Sequence, residues 1–293
     1  RHRMLKKGFV YWYNFVSQFT ASWKLTSDIS GLSTALNSNP GFVAPAVSEG
    51  LFESKTYPAI DKDGIYYFHV RFQNNKGWGP TNHYRIALDT QPPVPFKINV
   101  EGGLVSDNPS PKITFNTADS FSGLINYDVT VNSEKSIVTS DPEFVFPPLK
   151  PGEYTIRVRA LDHAGNNIED RVKIEILPIE PPIITSITKK VIIGSDNRLT
   201  VKGTAIIGAD VIVAIEDKNK FLVLEGESKT NSQGEWEFNF DKELRRGDYV
   251  VTVKARDSRG AMSLPTESAK VQFVEKPIIS LFGFDITLRL LLF

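Results

Sequence analysis

Four histidines, a scatter of carboxylates and a cluster of aromatic rings are the residues of this chain whose types could do chemistry. His69 and His83 fall on what read as consecutive strands of one hairpin, and they could face each other across it. Two imidazoles without a third and fourth ligand make a poor zinc site. A cross-strand pair on a sheet face is the plainer expectation. His2 lies in the ragged start of the chain and His163 in a turn. No serine stands in a Gly-x-Ser-x-Gly elbow or beside a base, and no glycine-rich phosphate loop occurs. Glu49, Glu53, Asp61 and Asp63 cluster in sequence, but glycoside hydrolysis needs two carboxylates facing across a cleft. The turns Asp162-His-Ala-Gly165-Asn166 and Asp257-Ser-Arg-Gly260 offer calcium one carboxylate each, against the six to eight oxygens it takes. The expectation is therefore no catalytic residue, no metal and no cofactor.

The aromatic residues are the better lead. The span 8–91 holds 16 of the 32 aromatic residues of the chain. Trp12, Tyr67, His69 and Trp78 are expected by alternation or by their place in a turn to face outward. Exposed rings on a β face stack on sugars or anchor protein partners, so these four are the candidate ligand contacts. The competing reading has Trp78 folded over its own hairpin and Trp12 packed against a neighbouring domain.

What must position these groups is a pattern that occurs three times. It runs Gly64-Ile-Tyr66-Tyr-Phe68-His-Val70-Arg-Phe72-Gln-Asn74-Asn-Lys-Gly77, then Gly152-Glu-Tyr154-Thr-Ile156-Arg-Val158-Arg-Ala160-Leu-Asp162-His-Ala-Gly165, then Gly247-Asp-Tyr249-Val-Val251-Thr-Val253-Lys-Ala255-Arg-Asp257-Ser-Arg-Gly260. The bounding glycines are 13 apart each time, and the copies begin 88 and 95 residues apart. Period two within each copy predicts a strand with one buried and one wet face. A repeat of that length is one small all-β domain used in series. The closing Asx-x-x-Gly suits a tight turn, because Asn and Asp bond their own backbone and Gly accepts positive φ.

The tyrosine two residues after each leading glycine resembles the tyrosine corner of immunoglobulin-like sandwiches. With its turn, each segment is similar to strand F and the F–G turn of fibronectin type III and bacterial immunoglobulin-like domains. Phe19-Thr-Ala-Ser-Trp23 resembles strand B of the former. Pro111-Lys-Ile-Thr-Phe115, Ser122-Gly123 and Tyr127-Asp-Val129 resemble strands B and C of the latter. Val201-Lys-Gly203-Thr-Ala205 and Gly208-Ala-Asp-Val211 resemble a pair common in repeats of bacterial surface proteins. The resemblance covers roughly residues 8–275 and implies three tandem β-sandwiches: a fibronectin type III-like domain over 8–91 and bacterial Ig-like domains over 94–178 and 182–275. It says little of function, since this sandwich hosts many roles.

Composition narrows the classes further. The chain has no cysteine, which excludes a disulfide-stapled ectodomain. Acidic and basic residues balance at 34 each, with no basic stripe, so nucleic acid is not the expected partner. Prolines at 92, 93 and 95, at 178, 181 and 182, and at 277 mark the expected joints. They favour short, stiff, extended linkers and a rod of domains. The chain opens Arg1-His2-Arg3-Met4, read as a fragment of a longer protein, and residues 1–22 are too polar for a signal peptide and alternate like a strand. The apolar run 278–293 has three readings: the start of a membrane anchor, a strand or tail leading onward, or an interfacial helix. Taken together these features predict a non-catalytic extracellular stalk of a bacterial cell-surface protein, whose partner is a protein or polysaccharide at that surface. The alternative is a carbohydrate-binding or accessory region of a larger secreted enzyme.

Overall fold

The computed structural model describes residues 11–132, 134–242, 244–266, 269–276, 279–281 and 284–286. Among them every strand or helix assigned is a β-strand. Each hydrogen-bonded sheet takes all its strands from one of the spans 12–88, 99–176 or 183–275, or from a short C-terminal hairpin. Compactness divides the chain differently. One unit comprises residues 1–99, 114–143 and 155–172, the other 100–113, 144–154 and 173–293. The division therefore falls inside the second repeat and not at the proline joints.

In the first unit, Gly64–Asn74 is the central strand of a sheet ordered Trp12–Tyr13, Asn82–Leu88, Gly64–Asn74, Ile29–Asn37. Trp12–Tyr13 runs parallel to Ala87 and Leu88, while the central strand is antiparallel to both neighbours. A second sheet pairs Phe19–Ser22 with Ser54–Tyr57. Apolar residues of the two meet around Ile60, Ile86 and Leu88, with Tyr13, Phe19, Leu36 and Tyr66 packed against them. Trp23 lies with Phe52, Phe68 and Phe72 at ring distances of 5.7, 6.0 and 6.4 Å, and its Nε1 donates to the Phe52 carbonyl at 2.8 Å. From the second repeat, Leu124–Val131 pairs with Ile137–Thr139 and with residues 156–162, and the Phe115 ring meets Tyr127 edge-on at 4.9 Å.

The second unit contains the whole third repeat. Three strands, Ile183–Ile187, Leu199–Thr204 and Glu235–Phe240, form one sheet. Five more, Lys190–Ile193, Ala269–Glu275, Gly247–Arg256, Asp210–Asp217 and Leu222–Lys229, form the other. Their inward residues make one core that includes Val201, Val211, Val213, Ile215, Trp236, Val251 and Val253. Gly203 is placed directly opposite Trp236. A Cβ there would lie 2.0 Å from the Ile183 carbonyl oxygen and 2.7 Å from the indole, so the Gly-Thr-Ala signature leaves room for the ring. At the C-terminus, Ile279–Leu281 and Phe284–Ile286 pair antiparallel. The rest of the apolar run 278–293, like residues 1–10, lies outside the described residues. No described helix is long and apolar enough to cross a membrane.

The tyrosine corner is present three times. The hydroxyls of Tyr66, Tyr154 and Tyr249 donate to the carbonyls of Lys62, Lys150 and Arg245 at 2.9, 2.8 and 3.0 Å. In each case the acceptor is four residues back along the chain. The three closing turns also agree. Asn74, Asp162 and Asp257 accept turn N–H groups on their side-chain oxygens, and Gly77, Gly165 and Gly260 sit at φ 109°, 92° and 88°. Tyr154→Phe removes one hydroxyl and leaves the Lys150 carbonyl without its donor. We expect it to lower stability by about 1 kcal/mol in chemical denaturation and to leave any binding by the first repeat unchanged. A binding loss without a shift in the denaturation midpoint would overturn this structural role.

Candidate ligand-binding face

The four candidate contacts lie on or beside one face of the first-repeat sheet. Alternation along the central strand puts Tyr67, His69 and Arg71 on that face. Register brings Asn37 and Arg85 to either side of Tyr67, Ala35 and His83 to either side of His69, and Ser33 opposite Arg71. Trp12 and Trp78 each stack on an arginine of this face: the Arg85 guanidinium is 5.9 Å from the Trp12 ring, and Arg71 is 5.1 Å from Trp78. Trp78 thus folds over its own hairpin. Trp12 also meets Phe121 of the second repeat edge-on at 5.0 Å.

The expectation that His69 faces solvent is corrected. His69 is 0% exposed. The Phe42 ring stands 5.4 Å from it and Tyr67 stacks at 6.3 Å. The covering segment is the loop after Asn37. Arg71 Nη1 donates to the Ala44 carbonyl at 3.0 Å, and Thr81 Oγ1 accepts from Ala44 N–H at 3.3 Å. Further along, Glu49 N–H donates to the Leu32 carbonyl at 2.8 Å. The Glu49 carboxylate accepts from the Thr34 hydroxyl at 3.0 Å and pairs with Lys55. Alternation cannot see a loop that returns over the wet face, and nothing in the local pattern marks Phe42 as its lid. Trp12, Tyr67 and Trp78 are half-buried.

His69 and His83 do meet across the hairpin. Their Nδ1 atoms are 2.7 Å apart, and His69 Nε2 lies 3.3 Å from Asn37 Oδ1. At that separation one ring donates and the other accepts, so both cannot be protonated together. Burial, and then the charge of His83, hold His69 below its ordinary value of 6.5.

A second cluster was not legible in the sequence. Asp89, Asp119 and Asp162 each bring a carboxylate oxygen within 4.8 Å of the other two, and Asp89 and Asp162 are fully buried. Asp89 accepts from the N–H groups of Ser122 and Gln91 at 3.0 and 3.1 Å. Asp119 accepts from those of Gly123 and Phe121 at 2.7 and 3.0 Å. Asp162 accepts from the backbone N–H and the carboxamide of Asn166, both at 2.8 Å. The count of one carboxylate per turn is therefore corrected to three around Asp162. These oxygens are of the kind that a hard cation takes, and backbone and amide donors already serve them. At the matching turn of the third repeat a protein cation fills the place. Arg259 bonds Asp257 at 2.8 Å and Asp107 at 2.7 Å.

Comparison with known families matches the Y_Y_Y domain to residues 124–177. Comparison with curated proteins finds no match. Among solved structures, the tetra-tandem repeat in the extending region of a large adhesion protein is 14% identical, with 89% of this chain and 71% of that one covered and a TM-score of 0.28. The chicken CNTN1 FN1–FN3 domains are 17% identical, with 88% and 94% covered and a TM-score of 0.30. The fibronectin(III)-like modules of Clostridium thermocellum CbhA are 14% identical, with 61% and 94% covered and a TM-score of 0.28. Scores this low carry no argument for the chain as a whole. That the chain is all-β and of immunoglobulin-like, fibronectin III type follows from the internal geometry: paired sheets around an apolar core, central Tyr-bearing strands and three tyrosine corners.

The histidine pair makes a pH prediction. In the folded chain His69 resists protonation, whereas the unfolded chain takes the proton near 6.5. Below that value the unfolded state binds more protons, so stability falls as pH falls through it. Melting temperature should drop between pH ~7 and ~5, and His69→Gln should flatten that slope whatever its effect at neutral pH. An unchanged slope in the variant removes His69 as the cause.

Proposed function

We propose that this chain is a non-catalytic extracellular segment of a bacterial cell-surface protein, serving as a stalk or adhesive spacer that holds another module away from the envelope. The supporting observation is the threefold repetition of one strand-and-turn pattern. Each copy has its own tyrosine lock and closing turn, and in the second and third copies the arginines of the central strand are matched to acidic neighbours. Arg159 meets Asp128 at 2.5 Å and Arg157 meets Glu169 at 3.8 Å. Arg256 meets Asp210 at 3.4 Å and Glu227 at 3.1 Å. Charges arranged this way keep a sheet face soluble and add cross-strand support. They do not assemble an acid, a base and a nucleophile around a common point.

On this reading the domains are 8–91, 94–178 and 182–275, and the apolar segment 278–293 is the start of a membrane anchor. The surface partner is a protein or a polysaccharide. The reading as a carbohydrate-binding accessory region keeps one specific support, the pairing of Trp12 and Trp78 with arginines on a single sheet face.

Membrane fractionation with protease shaving of intact cells, on the full-length gene product, tests the surface assignment. Repeats clipped from outside and a product that sediments with membrane are the expected result. A soluble product protected inside the cell overturns it.

A further inference from the structure

The first repeat departs from the other two in how it handles the charges on its central sheet. Arg159 stands seven residues after the leading glycine of the second repeat, and its cross-strand neighbour is Asp128, with which it pairs. Arg71 stands seven residues after the leading glycine of the first repeat, and its cross-strand neighbour is Ser33. Where Arg157 of the second repeat meets Glu169, the residue at the same place in the first is His69, which meets His83. Among the described residues, Arg71 and Arg85 lack the acidic partners that Arg157, Arg159 and Arg256 have in the sister repeats, although Lys254, at the place of Arg71 in the third repeat, stands opposite Ile212.

Arg85 is the clearest case. Among the described residues its guanidinium makes no ion pair and no side-chain hydrogen bond, and its Nε is shut off from water without a partner. Its guanidinium lies 5.9 Å from the Trp12 ring, and Tyr67 is its cross-strand neighbour. Arg71 is similar but half served. It donates Nη1 to the Ala44 carbonyl, lies over Trp78, and leaves Nε buried and unpartnered. Nearby carboxylates are engaged elsewhere: Asp63 with Thr90 N–H, Glu49 with Thr34 and Lys55, and Asp89 with Gln91 and Ser122. A guanidinium that is half-buried, stacked and without an acceptor has surrendered water without gaining a hydrogen bond. Its planar fork of donors matches a carboxylate in two parallel bonds. Beside it on the same face, His83 is exposed, and the Trp12 indole is of the sort on which sugar rings stack.

We propose that this face of the first repeat binds an acidic polysaccharide of the uronate class. Arg85 takes the carboxylate, Trp12 carries the sugar ring, and His83 borders the site. Arg71 and Trp78 form a second cation–aromatic pair at the far end of the same face, where the Phe42 loop partly covers it. The inference deepens the adhesive half of the function proposed above. It is tested on purified protein and stands or falls separately from where the protein resides.

The experiment is affinity electrophoresis of the 293-residue chain through gels containing polygalacturonate, neutral dextran or poly-L-glutamate. Retardation by polygalacturonate and not by dextran is expected. Arg85→Gln should weaken it by about tenfold or more, the scale of a lost charge-assisted hydrogen-bond pair. Arg85→Lys, which keeps the charge and loses the fork, should fall between. Arg198→Gln, in the third repeat, should leave binding as it is, and thermal melts of all variants separate a binding loss from unfolding. Absence of retardation by polygalacturonate overturns the proposal. So does retardation that Arg85→Gln leaves intact, or equal retardation by poly-L-glutamate, which would make the occupant an acidic peptide.

Discussion

The interaction on which each module depends is the bond from a tyrosine hydroxyl to the carbonyl four residues before it. The ring enters the strand from the side of the core, and its hydroxyl returns to the chain just outside the sheet. That one bond ties the approach segment to the strand and fixes where the strand begins. Once the start is fixed, period two decides the rest: a shift of one residue would move Ile156, Val158 and Ala160, all fully buried, to the opposite face. The leading glycine belongs to the same device. At Gly64 a Cβ would stand 3.1 Å from the Tyr66 ring, whereas at Gly247 it would make ordinary contact with Tyr249 at 3.5 Å, and at Gly152 the backbone φ of 149° is what favours glycine.

The far end of the strand is held by different chemistry with the same effect. Asp162 accepts from the backbone N–H and the carboxamide of Asn166, Asp257 from the N–H groups of Arg259 and Ala261, and a glycine with positive φ lets the chain reverse. Between a tyrosine lock at one end and an Asx turn at the other, the central strand has little freedom of register. Its neighbours can then be short or irregular. In the first repeat the strand that pairs with Leu88 is only Trp12–Tyr13, and the small second sheet is two strands.

This division explains what could be read from the sequence. The central strands, their tyrosines, their turns and the meeting of His69 with His83 are all local or cross-hairpin matters, set by spacing within a few tens of residues. The burial of His69 is not. It depends on Phe42 and Ala44, which sit on a loop whose path is set by Glu49 binding the edge of the Ile29–Asn37 strand. The carboxylate cluster escapes for the same reason. Asp89 follows the last strand of the first repeat, Asp119 lies in an irregular stretch of the second, and Asp162 ends that repeat's central strand. Each reads alone as a turn residue, and only the folded first unit collects them.

Comparison among the copies carries an argument that no single copy can. Because the three central strands are equivalent position by position, a difference between them is a difference made on one background. Arg259 in the third repeat answers Asp257 and Asp107 with a fixed cation, while the second repeat has Ala164 at that place and serves its three carboxylates with backbone, amide and hydroxyl donors. Arg159 has its Asp128, and Arg71 has a serine. Fold stability does not require the charge partner to be absent in either place, since the sister repeats show the same backbone accommodating it. The first repeat keeps two arginines stacked on tryptophans and gives neither a carboxylate. A stacked guanidinium is held in place by its ring and still has donors to offer. It is preorganised for an acceptor arriving from outside the sheet, which is the property that separates a recognition face from a merely solvated one.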